Sequence, residues 1–180
     1  IMEEMVKGYV CTYDGIVGAQ GQILFETGNV TPSCLMDVVN DNGESLYYIV
    51  KDLPAAVVDA GKKTVEAFGV KSRFFHLEFF CLTEDMEGLG KAGDIIGLEV
   101  NMRPSGGYTP DMYNFAYETD VYKNWADMIC FDYSTKPLGN RHGAESKTHG
   151  KISHSHRQTP ADTGAVFIPI HRFLHLLSKS

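Results

Sequence analysis

Along Leu98-Glu99-Val100-Asn101-Met102-Arg103, apolar and polar side chains alternate residue by residue. That period predicts a strand with Leu98, Val100 and Met102 on a core and Glu99, Asn101 and Arg103 facing a cleft. Arg73 to Leu82 is a second β-prone run, and its alternation puts His76 and Glu78 on a common face. Gly8 to Gly18 and Gln22 to Thr27 read as an antiparallel meander turned at Ala19-Gln20-Gly21. Gly28 to Pro32 breaks the return strand, and Leu46 to Val50 reads as a short further strand. The 3.6-residue period takes over from about Pro54 to Phe68, where Leu53, Val57, Val58, Val65 and Phe68 form the buried stripe and Asp52 is the expected cap. It returns after Tyr108, with Thr109 as cap, Pro110 in the first turn and Asp111 complementing the helix dipole. It returns again from Asp120 to Phe131, where Val121, Trp125, Met128 and Ile129 are spaced to face a core. The pattern predicts an α+β fold, an antiparallel sheet flanked by helices.

Composition narrows the chemistry. A formal charge of −7 speaks against nucleic acid, whose phosphates are bound through excess Lys and Arg. No apolar run is long enough to span a bilayer and no secretory signal opens the chain, so a cytoplasmic protein without a membrane partner is expected. The cysteines at 11, 34, 81 and 130 show no C-x-x-C pairing, and reduced, mostly buried thiols are expected. Thr83 to Asp94 is acidic and glycine-rich but lacks EF-hand spacing, which predicts a solvated hairpin tip.

Candidate chemistry gathers on the two alternating runs. Glu78 is an acid inside an otherwise apolar run, and a buried unpaired carboxylate costs several kcal/mol, so it needs a cation or a metal. As antiparallel neighbours, the runs would set Glu78 beside Glu99 and Asn101, two carboxylates and an amide suited to a hard cation such as Mg²⁺. Arg103 alongside suits a phosphoryl group. The Pro104-Ser105-Gly106-Gly107 turn lets backbone approach a ligand closely. For His76 two readings stand open, a member of this polar face or a core histidine bonded to backbone.

These residues carry a resemblance. His76-Leu77-Glu78-Phe79 followed by Leu98-Glu99-Val100-Asn101-Met102-Arg103-Pro104-Ser105-Gly106-Gly107 resembles the C-terminal lobe of the ATP-grasp superfamily, in its carboxylate–amine ligase branch. Met2-Glu3-Glu4-Met5-Val6-Lys7-Gly8 resembles the hinge strand that holds adenine and ribose, Tyr9 to Val17 the strand after it, and Asp120, Tyr122, Trp125, Ala126 and Asp127 the helix after the metal strand. The resemblance covers about residues 1 to 137. It implies that ATP and Mg²⁺ are the cofactors, with metal held by Glu78, Glu99 and Asn101. It implies Arg103 as the catalytic residue on the transferred phosphoryl group or acyl phosphate, Glu3 or Glu4 on the nucleoside, and Gly106 and Gly107 beside the substrate. The substrates implied are a carboxylate and an amine, amino acids among the candidates. The lobe that supplies phosphate-binding lysines is expected as a partner from outside this sequence, and turnover is not expected of the segment alone.

Two functions follow as expectations. One is an ADP-forming ligase fragment that activates a carboxylate as acyl phosphate and joins it to an amine. The other is a non-catalytic nucleotide-binding or protein-interaction module, which would form a homo-oligomer or heteromer through an exposed sheet edge at residues 1 to 6. Residues 138 to 180 differ in character and do not resemble the family's continuation. Six basic residues against two acids give this tail +4 and leave −11 for the rest, and six of the seven histidines lie here. A mostly disordered tail to about Ala165 is expected, with a short closing element near Val166 to Leu177.

Overall fold

In the computed structural model, which describes residues 5–32 and 46–132, the chain runs β1 (Gly8–Val17), β2 (Ile23–Thr27), β3 (Asn29–Thr31), β4 (Tyr48–Ile49), α1 (Ala55–Ala67), β5 (Arg73–Leu82), β6 (Ile95–Asn101), α2 (Thr109–Tyr117) and α3 (Val121–Phe131). The expected α+β architecture with an antiparallel sheet is observed. Two ten-residue strands rich in aromatic and β-branched residues form its centre. β1 and β5 pair along their whole length, from Gly8 opposite Leu82 to Val17 opposite Arg73. β6 pairs with the far side of β5 and, among the described residues, is the last strand on that side of the sheet.

On the other side of β1, the segment expected only to break the return strand pairs again. β2 lies against residues 14 to 17 of β1, and β3 lies against Val10 and Cys11. Gly28 separates them, where a side chain would collide with the Thr12 carbonyl and with Leu53. The glycine therefore lets the strand step past β1 and resume, and β4 pairs with β3 beyond it.

Alternation divides the central strands between two cores. One face carries Cys11, Tyr13, Phe75, Leu77 and Phe79 against Val57 and Val65 of α1. Gly61 is buried in the middle of α1 directly over Tyr13, and a Cβ there would lie within the Tyr13 ring's contact surface. Gly61→Ala is therefore expected to destabilise the fold despite alanine's better helix propensity. Overpacking costs about 1–3 kcal/mol against a gain of about 1, and a lowered urea midpoint at unchanged m-value would show it. The opposite face is covered at one end only. There Ile16 and Phe25 pack with Met112 and Tyr113 of α2 and Val121 and Met128 of α3. Asp132 ties the end of α3 to the β1–β2 turn by accepting from the Ala19 N–H at 2.5 Å.

Several expected burials are corrected. Leu98 and Val100 are exposed, because β6 is the outer strand and α1 reaches only its Ile95 end and Met102. Between Gly97 and Glu99 the register with β5 shifts by one residue, a bulge that leaves Leu98 unpaired. Phe68 is exposed at the C-cap of α1, beyond the reach of the sheet. Trp125 is 40% exposed and Ile129 is exposed as well. α3 sits at the rim, so its buried residues are Val121, Asn124, Asp127 and Met128, and Trp125 stacks instead on Phe74 with ring centroids 6.3 Å apart.

Caps differ too. Pro54, not Asp52, is the N-cap of α1. Thr109 is buried inside the first turn of α2, sharing a 3.1 Å hydrogen bond with the Tyr47 hydroxyl. No cap for α3 is read from the sequence, and Asp120 fills that place, accepting from the Tyr122 and Lys123 N–H groups at 3.1 and 3.0 Å. Cys11 is buried, Cys81 half-buried and Cys130 exposed, all as free thiols. In the loop between β5 and β6, Asp85 and Asp94 accept backbone N–H groups at 2.9 and 2.8 Å. Residues 138–180, with the expected closing element, and Cys34 lie outside the described residues.

Candidate functional site

Where α2 and α3 stop covering the sheet, its face turns polar. Thr12 and Asp14 of β1, His76 and Glu78 of β5, and Glu99 and Asn101 of β6 stand in adjoining rows, because strand pairing puts directly opposed residues on the same face. The register sets Thr12 opposite Glu78, Asp14 opposite His76, Glu78 opposite Glu99 and His76 opposite Asn101. Glu78 thus stands beside Glu99, as alternation in the two runs requires, and Asn101 lies one pair along.

His76 takes part in this polar face. Its Nδ1 lies 2.5 Å from Asp14 Oδ1 and its Nε2 lies 2.9 Å from Glu78 Oε1, so the imidazole bridges two carboxylates. Burial disfavours charge on the ring, but the hydrogen bonds and negative charges of Asp14 and Glu78 outweigh it and push the pKa up to about 9. The ring is therefore cationic at neutral pH and donates from both nitrogens. Glu78 is held below the usual carboxylate range by its bond to His76, against the opposing effect of burial, with the charges of His76 and Arg103 assisting. Arg103 is exposed, and one of its Nη1–H groups donates to the Pro104 carbonyl at 3.0 Å.

Asp14 was not legible as a site residue, although it carries the signal that singled out Glu78, an acid within an apolar β-prone run. It is 2% exposed. Thr12 Oγ1 donates to its Oδ2, and the same hydroxyl accepts the Asn29 N–H at 3.0 Å across the Gly28 break. The Tyr113 hydroxyl is buried close by, and burial first and the Asp14 charge second push its pKa well up. Ser105 Oγ in turn donates to Tyr113 Oη at 3.1 Å, which anchors the turn after β6 to α2. Gly106 and Gly107 project into open space, and Gly107 adopts φ +59°, a conformation that favours glycine.

The expected oxygen ligands are compatible with a hard cation. Glu78 and Glu99 are carboxylates and Asn101 adds a carboxamide oxygen, a donor set suited to Mg²⁺ rather than to zinc. Asn101 Nδ2 is buried with no hydrogen-bond partner among the described residues, a donor that calls for an acceptor and not for a cation. Among the described residues no three His, Cys, Asp or Glu side chains are grouped to hold a metal by themselves. His76 occupies one Glu78 oxygen and leaves Oε2 for another contact. Glu3 and Glu4 lie outside the described residues. Among the described residues no helix is long and apolar enough to cross a membrane. No family model matches this chain, and no curated protein matches it.

Proposed function

We propose that this chain is the metal- and phosphate-facing lobe of an ATP-dependent carboxylate–amine ligase of the ATP-grasp type. The observation that supports it best is the β5–β6 register, which lines up Glu78 with Glu99 and His76 with Asn101 beside the Arg103 turn. In this reading Glu78, Glu99 and Asn101 hold Mg²⁺, and Arg103 holds the oxygens of the transferred phosphoryl group. Bound ATP with Mg²⁺ supplies that group and neutralises its charge. Gly106 and Gly107 admit the substrate carboxylate, which would take the γ-phosphoryl group as the β–γ bond of ATP breaks and ADP forms, after which the amine would attack the acyl phosphate, lose a proton and expel inorganic phosphate. Glu3 or Glu4 contacts the nucleoside, and a facing lobe brings lysines to the phosphates. The cytoplasm, with its ATP, is the compartment this reading implies.

Nuclear magnetic resonance of the 180-residue chain with Mn²⁺ and ATP tests it. The backbone amide signals of Glu78, Glu99 and Asn101 are expected to broaden at Mn²⁺ levels that leave α1 unaffected, and Glu99→Ala is expected to abolish the difference. Broadening centred elsewhere, such as on the acidic 83–94 loop, would overturn the assignment.

A further inference from the structure

α3 is apolar on two sides. Val121 and Met128 pack toward the sheet, and on the opposite side Tyr122, Trp125, Ala126 and Ile129 stand at the i, i+3, i+4 and i+7 positions of a second stripe. All four are exposed, Tyr122 at 49% and Ile129 at 52%. A surface helix shows one apolar stripe, whereas a helix that is apolar on both sides is ordinarily covered on both. Single exposed apolar residues need no explanation, but a contiguous run of them marks a contact surface. Trp125 is a fixed wall of this one, because its indole stacks on Phe74 at an interplanar angle of 15°. The N-terminal end of the stripe is acidic. Asp120 caps the helix there, and the charges of Asp111 and Asp120 both act on the Tyr122 hydroxyl.

The same spacing recurs in the sequence beyond the described residues. Ile170, Phe173, Leu174 and Leu177 fall at i, i+3, i+4 and i+7, with His171, Arg172, His175 and Lys179 on the other side of a 3.6-residue period. Pro169 stands immediately before them, the residue type favoured in the first turn of a helix. A helix this short is marginal in water by itself and needs an apolar surface to form on. Charge favours the surface on α3, since Leu138 to Ser180 carries +4 against −11 for the rest of the chain.

Length decides between this segment and a second copy of the chain. α3 has 11 residues and is about 16 Å long. Two copies meeting stripe to stripe on so short a helix fall well under the ~1,000 Å² that a stable interface between separate chains needs. A segment of the same chain has no such requirement. The connection from Asp132 to Pro169 reaches roughly 30 Å even if counted as a random coil, more than the length of α3. Tethering then sets an effective concentration on the order of millimolar for docking.

We propose that residues 169–179 of this chain dock as a helix along the outer stripe of α3, with Ile170, Phe173, Leu174 and Leu177 against Tyr122, Trp125, Ala126 and Ile129. Docking gives α3 its second covered face and ties the C-terminal part of the chain to the rim of the sheet. It is independent of the function proposed above, since none of these residues belongs to the polar face of the sheet.

Trp125 is the single tryptophan of the chain and reports its own cover. In the full 180-residue chain, Phe173→Ser combined with Leu177→Ser is expected to red-shift the Trp125 emission and to raise its quenching by acrylamide. Both substitutions lie outside the described residues, so the backbone amide signals of α1 and β5 are expected to stay as in wild type. Ile129→Ser, on the other half of the contact, is expected to act in the same way. Phe68→Ser, which removes a similarly exposed side chain at the end of α1, is expected to change neither reading. Nuclear Overhauser cross-peaks from the Trp125 indole to the Leu174 and Leu177 methyls are expected within one molecule.

Wild-type emission and quenching in the Phe173→Ser, Leu177→Ser chain would overturn the proposal, as would the absence of those cross-peaks. Cross-peaks found only between differently labelled copies would overturn it in favour of a dimer. If Ile129→Ser fails to fold, the tail substitutions, which remove no contact of the described fold, still decide.

Discussion

Replacing His76 with alanine is expected to cost the fold about 3 kcal/mol, because it leaves the buried Asp14 carboxylate without its cation. The value sits at the lower end of the range for broken buried pairs, since Glu78 is 24% exposed and solvent screens its share. Urea denaturation at pH 7 measures it, and a change below about 0.5 kcal/mol, the range of an ordinary surface substitution, would mean that the ring does not hold the two carboxylates.

The same residue sets an alkaline limb in the stability curve. His76 titrates near 6.5 when unfolded and about 9 when folded. The folded state binds the proton more tightly, so the contribution is complete below the unfolded value and is lost as pH rises through the folded one. Glu78 has the opposite sign. Its folded pKa lies below the unfolded 4.5, so its contribution is present above that value and lost as pH falls through the folded one. Wild type is therefore expected to lose more stability than His76→Ala between pH 7 and pH 10. Parallel curves for the two proteins would contradict the ion bridge.

The second large effect concerns chemistry. On the function proposed above, with the facing lobe supplied, Glu99→Ala is expected to lower ADP formation by about a thousandfold or more, on the scale of losing a principal electrostatic contact to the reacting phosphoryl group. The fold should barely respond. Glu99 is exposed on an outer strand and makes no ion pair among the described residues, so its melting temperature is expected within about 2 °C of wild type. Coupled ADP release and a thermal melt on the same preparation separate the two outcomes, and near-wild-type turnover would remove Glu99 from the metal site.

Period-two alternation in Arg73–Leu82 and Leu98–Arg103 was enough to place His76, Glu78, Glu99 and Asn101 on one face, because pleat geometry leaves a strand little choice. The β1–β2 turn was legible at Ala19-Gln20-Gly21, whereas the central antiparallel pair, β1 with β5, joins strands separated in sequence by β2, β3, β4 and α1. What local pattern does not carry is where a neighbour stops. Leu98, Val100, Trp125 and Ile129 have the spacing of core residues, and they are exposed because β6 and α3 occupy an edge and a rim. Nor does it carry partners distant in the chain. Asp14 meets His76 across 62 residues, and no feature near either one announces the other. The Thr109 cap failed for a related reason, since Tyr47 claims its hydroxyl from across the fold.

The bulge at Leu98 has a meaning beyond its local kink. Counted strictly by twos, Ile95, Gly97, Glu99 and Asn101 would all point the same way, and the strand would have to choose between lining a hydrophobic interior and lining a ligand site. One surplus residue is a half-period phase shift. Before it the strand is in step with the interior, sending Ile95 toward the first core. After it the strand is in step with Glu78 and His76, sending Glu99 and Asn101 to the polar face. A single strand thereby has two allegiances, and its length in residues, as much as their identity, is what the site depends on.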